Sequence, residues 1–146
     1  LAGFEAMVRW NHPKHGLINP FGYLESEASA DLLVRTVQVA LAQALKDCVQ
    51  WQKELPRVDN ALFVNFNLPP VMKIDQNVAQ DIRQTLSRHP VAKGSLKLGV
   101  SEAMVMDNPE HSGEMLEWLR SAGAELVLDD FCVGYSSLIY LGRLPV

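Results

Sequence analysis

The sequence predicts an α/β fold built on a parallel sheet, and three observations predict it. First, four strand-like segments (1–10, 61–67, 95–101 and 125–131) are separated by stretches of helical spacing. Repeated βα units of this kind mean parallel strands joined by crossovers. Second, Leu126-Val127-Leu128 runs straight into Asp129-Asp130. A short apolar run reads as a strand buried on both faces, and two carboxylates at its C-terminal end need a cation or hydrogen-bond donors to meet them. Third, polar side chains recur on one parity of the other strands. The pattern does not separate an open doubly wound sheet from a barrel. The absence of a GxGxxG motif after the first strand argues against a dinucleotide fold.

The chain has 146 residues, room for one domain with a sizeable core. Its net charge of −4 argues against a sequence-independent nucleic-acid binder, so no DNA partner is expected. Cys48 and Cys132 form neither a disulfide framework nor a zinc-ligand spacing, and they read as two reduced thiols. No apolar run reaches the ~18 residues a membrane span needs. The first residue is Leu and no signal-like segment follows, so position 1 reads as the middle of a longer protein.

In the first segment, Phe4, Ala6 and Val8 alternate with Glu5, Met7 and Arg9, which predicts a strand over 1–10. Glu5 and Arg9 are ~13 Å apart on such a strand, too far to pair directly. Residues 11–20, with two prolines, Gly16, His12 and His15, predict a loop with solvated histidines. From about Pro20 to Leu55 the spacing is helical, through Leu24, Leu32, Leu33, Val37, Leu41, Leu45, Val49 and Trp51. A break near Ser29-Ala30-Asp31 predicts a short helix before a long one. The second strand, 61–67, places Leu62, Val64 and Phe66 on one face and Phe63, Asn65 and Asn67 on the other.

A helix is expected over 77–87, with Val78, Ile82 and Leu86 as its inner stripe. A third strand over 95–101 follows, closed by Glu102, with Leu96, Leu98 and Val100 alternating with Lys97, Gly99 and Ser101. Pro109 and Gly123 bracket a helix over 109–121. A last helix is expected over 136–144. Glu5, Asn65, the Ser101-Glu102 pair, Asp129 and Asp130 are then oxygen donors of the type hard cations choose, and the strand ends converge.

These residues carry a resemblance to the EAL domain family, bacterial phosphodiesterases that linearise cyclic di-GMP. The family's opening L-x-G-x-E-A-L-x-R-W stands as Leu1-Ala2-Gly3-Phe4-Glu5-Ala6-Met7-Val8-Arg9-Trp10. Its V-N-L-S stands as Val64-Asn65-Phe66-Asn67, and its L-x-L-E-I-T-E as Leu96-Lys97-Leu98-Gly99-Val100-Ser101-Glu102. Its L-D-D-F-G-T-G-Y-S-S-L stands as Leu128-Asp129-Asp130-Phe131-Cys132-Val133-Gly134-Tyr135-Ser136-Ser137-Leu138. The motifs occur in the family's order over essentially the whole chain.

The resemblance implies an incomplete (β/α)8 TIM-like barrel of EAL type, about four βα units with parallel strands. Residues 1–146 would be a partial EAL domain without the family's first strand and its C-terminal βα units. It implies two-metal hydrolysis, with Mg²⁺ or Mn²⁺ ions ~4 Å apart. Glu5, Asn65, Asp129 and Asp130 match its metal ligands, and Glu5, Asp129 and Asp130 its catalytic carboxylates. Arg9 matches its phosphate-holding arginine, with Met7 beside it on the substrate side. Cyclic di-GMP, sensor or synthase domains in the parent protein and a homodimer contact are the implied partners, in the cytoplasm or as the cytoplasmic part of a membrane-anchored parent.

Several positions depart from the family pattern. Gly99 stands where the family has a ligand carboxylate, on the polar parity of its strand. Glu102 has the opposite parity and lies ~10 Å along, so it cannot replace that ligand. Cys132-Val133 replace Gly-Thr, and Ala28 stands near a family Glu. The expectation is a cyclic di-GMP phosphodiesterase-like domain with impaired hydrolysis. The alternatives are an active enzyme with a compensated site and a non-catalytic interaction domain.

Overall fold

The computed structural model describes residues 2–22, 30–55, 62–107 and 109–129. Strands β1 (Gly3–Ala6), β4 (Phe63–Asn67), β5 (Leu96–Ser101) and β6 (Glu125–Asp129) form one sheet in the order β1-β4-β5-β6. Every neighbouring pair is parallel. Helices α1 (Ala30–Glu54), α2 (Gln76–Arg88), α3 (Glu102–Asp107) and α4 (Pro109–Ser121) fill the connections. The predicted βα order therefore stands.

The apolar parity of each strand builds the core. Val64, Phe66, Leu96, Leu98 and Val100 are buried with Leu33, Val37, Leu41 and Leu45 of α1, Val78 and Ile82 of α2, and Leu116 and Leu119 of α4. The α1 residues recur every three or four positions, so one stripe of a helix ~37 Å long faces the sheet. Leu32, counted in that stripe by spacing alone, lies on its flank and is exposed. Asp31 in the first turn of α1 and Lys53 in the last suit the helix dipole. Cys48 is buried on the inner face of α1, its thiol 3.7 Å from the Leu62 carbonyl oxygen; burial pushes its pKa up, so it packs as an inert thiol.

Three expectations are corrected. The first strand ends at Ala6 rather than Trp10, so Arg9 is not a strand residue and does not share a strand face with Glu5. The expected loop over 11–20 contains a hairpin of β2 (Trp10–His12) and β3 (Gly16–Ile18). Three-residue strands are too short for alternation to reveal. The turn is built by Gly16 at φ 68° and by His12 Nδ1, which accepts the amides of Lys14 and His15 at 3.1 and 3.2 Å. Third, Glu102 does not close β5 but opens α3, and the Ser101 hydroxyl caps that helix by accepting the Met104 amide at 3.3 Å. The expected break at Ser29, the helix over 136–144 and residues Ala28, Asp130, Cys132 and Val133 fall outside the described residues.

Phe66 is fully buried between β4 and α1. Phe66→Ala is expected to cost about 3–5 kcal/mol in denaturant unfolding, because the packed core around it relaxes only partly into the cavity. Asp75 caps α2 by accepting the Val78 amide at 2.9 Å, and that bond holds its carboxyl below the usual carboxylate range. The cap's contribution is present above the unfolded value near 3.9 and is lost as pH falls through the lower folded value. Asp75→Ala is expected to cost about 1 kcal/mol at neutral pH, and the gap in midpoint from the unsubstituted protein should close as unfolding is repeated below pH 4.

Candidate active site

Because the strands alternate, the sheet face away from the helices carries Glu5 of β1, Asn65 and Asn67 of β4, Lys97, Gly99 and Ser101 of β5, and Glu125, Val127 and Asp129 of β6. The register sets them in rows. Glu5 pairs with Asn65, and Asn65 with Lys97. Asn67 pairs with Gly99, and Gly99 with Val127. Ser101 pairs with Asp129, the last residue of β6.

Toward the N-terminal ends of the strands this face is closed by a small cluster. Lys97 Nζ lies 4.3 Å from the centre of the Phe63 ring and 3.6 Å from Glu125 Oε2. The pair is partly solvated and adds little stability, but it turns the only cation of the row away from Glu5 and toward β6. Gly3 makes room for Phe63: a Cβ on Gly3 would come within 2.6 Å of the ring.

Toward the C-terminal ends the face is a chain of amides ending on a carboxylate. Asn67 Nδ2 donates to Glu5 Oε1 at 2.8 Å, and Asn65 Nδ2 donates to Asn67 Oδ1 at 2.9 Å. The carboxylate can only accept, so it sets the orientation of both amides. One consequence is that Asn65 Oδ1 is buried with no hydrogen-bond partner. A buried acceptor of this kind costs free energy unless a donor or a cation meets it. An orphaned amide oxygen beside a carboxylate fits a hard cation, and with Asp129 it supplies three oxygen-donor side chains on one face. Gly99, on the same face, is buried and presents no side chain.

The structure therefore brings Glu5 and Asn65 side by side and places Asp129 on the same face at the far end of the sheet. It does not bring Arg9 to Glu5. Arg9 is exposed after β1, its guanidinium donating to the Val8 carbonyl at 2.8 Å and lying 3.7 Å from the sulfur of Met7, itself exposed. Asp130 lies outside the described residues. Sequence reasoning passed over Asn67, which joins the two candidate ligands. The available signal was its parity with Asn65 opposite a glycine, visible only once the β4–β5 register is known. A separate groove of about 930 Å³ between β1 and α1, walled by Phe4, Val8, Leu32, Val39 and Trp51, lies mostly on the apolar side.

Comparison with known proteins bears on this arrangement. The EAL domain family model matches residues 1–146. The bifunctional diguanylate cyclase/cyclic di-GMP phosphodiesterase MucR of Pseudomonas aeruginosa is 33% identical over 99% of this chain, which spans 21% of that protein. A solved structure of the MucR phosphodiesterase in a cyclic di-GMP complex superposes with a TM-score of 0.80 at 32% identity, over 97% of this chain and 56% of that one. The EAL enzyme Bd1971 in its cGMP-bound form gives 0.81 at 26% identity, over all of this chain and 40% of that one. The four parallel strands and their helices are thus part of a TIM-like barrel, and the chain belongs to the EAL domain family.

Proposed function

We propose that this EAL domain binds cyclic di-GMP and hydrolyses it weakly or not at all. The observation that carries the reading is Gly99, buried on the site face with no carboxylate to offer where its neighbours Asn65 and Asn67 present amides. Glu5, Asn65 and Asp129 would hold a Mg²⁺ or Mn²⁺ ion, with Asp130 serving a second. When bound, such ions activate a water and stabilise charge developing on the phosphate. The chain's own residues do the rest. The exposed Arg9 guanidinium offers a planar fork to a phosphate, with Met7 beside it against the substrate. Nucleotide affinity and turnover then rest on different groups.

Disturbing even the groups that orient metal ligands costs ~10–100-fold in affinity or activity, and loss of a ligand should cost at least that. MucR carries both synthase and phosphodiesterase activity in its name, and this chain spans about a fifth of it. Sensor or synthase domains in the parent protein, a homodimer contact and work on the cytoplasmic side are part of the same proposal. Among the described residues no helix is long and apolar enough to cross a membrane. The relatives named as phosphodiesterases favour a second reading, an active enzyme with a compensated site.

The test is to incubate the full-length protein with cyclic di-GMP and Mn²⁺ and follow the linear dinucleotide by chromatography, with calorimetric binding in EDTA alongside. Binding with little or no product is expected. Sustained multiple turnover would establish the active enzyme instead. Neither binding nor product would leave an interaction domain.

A further inference from the structure

The space over Gly99 is not empty. A Cβ built there would fall on Asn67 Oδ1, 2.9 Å from Asn67 Cγ and 3.3 Å from Asn67 Cα. The Asn67 side chain therefore occupies the volume that any side chain at position 99 would enter. From there it makes the two bonds that organise the site, one to Glu5 Oε1 and one from Asn65 Nδ2. The nitrogen and the oxygen of the Asn67 side-chain amide are thus both used within the site. What remains is the buried, unpartnered Asn65 Oδ1. That atom is unpartnered because Asn67, oriented by the carboxylate, turns the Asn65 amide nitrogen toward itself.

We propose that Asn67 is a positioning residue for a divalent cation, and that it and Gly99 act as a pair. Asn67 holds Glu5 against Asn65 and presents Asn65 Oδ1 to the ion, from the space that a side chain at 99 would otherwise take. The inference rests on the reading of this face as a cation site. An amide carries no charge, so the site has one negative charge fewer than it would with a carboxylate at 99. The cation is held, but less tightly.

Mn²⁺ binding to the full-length protein without nucleotide is the measurement, by calorimetric titration, with the thermal midpoint in EDTA read in parallel. Asn67→Ser is expected to weaken Mn²⁺ binding roughly 10–100-fold, beyond any change in midpoint. Gly99→Glu alone is expected to lower the midpoint without tightening Mn²⁺, because its Cβ meets Asn67. The double variant Asn67→Ser/Gly99→Glu should recover the midpoint and bind Mn²⁺ more tightly than either single change; it supplies the readout if one single variant fails to fold. Unchanged or tighter Mn²⁺ binding in Asn67→Ser overturns the proposal, as does Gly99→Glu alone gaining as much as the double variant. Absence of Mn²⁺ binding in the unsubstituted protein, with cyclic di-GMP still bound, overturns this inference and leaves the functional reading standing. Rapid hydrolysis with the Asn67→Ser effect intact does the reverse.

Discussion

A parallel sheet has to hide one face beneath its crossover helices, and that requirement governs the rest of this structure. Val64, Phe66, Leu96, Leu98 and Val100 occupy one parity and pack under α1, α2 and α4. Period-two geometry then sends Glu5, Asn65, Asn67, Gly99 and Asp129 to the other face. A slip of one residue would put a carboxylate of β1 or β6, the amides of β4 or the Lys97 ammonium of β5 into the core and aliphatics into the site, so register is strongly specified. The apolar core thereby fixes the addresses of the polar residues, without contacting a ligand itself.

On the polar face, one charge organises its neutral neighbours. Glu5 can only accept hydrogen bonds, so the Asn67 amide nitrogen turns toward it. The Asn67 oxygen then faces Asn65, whose own oxygen is left without a partner. Three side chains on two strands share a single polarity, and the unsatisfied end of the chain is where a cation would complete it. Farther down, Lys97 is held by Phe63 and Glu125, which keeps a positive charge from completing it instead.

Much of this was legible in the sequence. The 3.6-residue spacing of Leu33, Val37, Leu41 and Leu45 and the alternation in 61–67 and 95–101 gave helix and strand identities, because both elements are long enough for a period to show. The parity of Gly99 followed from the same alternation. The β2–β3 hairpin was not legible, since three-residue strands have no period and the turn relies on a histidine ring nitrogen rather than a Gly-Asn pair. Helix α3 was missed because it follows β5 with no linker, its cap being the last strand residue, Ser101. The role of Asn67 could not be read because it depends on which residue lies across the strand gap, and register between strands 30 residues apart in the chain is a tertiary fact.

The contact between Asn67 and Gly99 also couples the two positions. With Asn67 in place, a side chain at position 99 meets an occupied volume, so the two sites are epistatic and the order of substitutions matters. Glycine at 99 leaves room for the Asn67 side chain, and the Asn67 side chain must move aside before any larger residue is seated at 99. Each position thus sets the size the other can take, and a substitution at one is read through the state of the other.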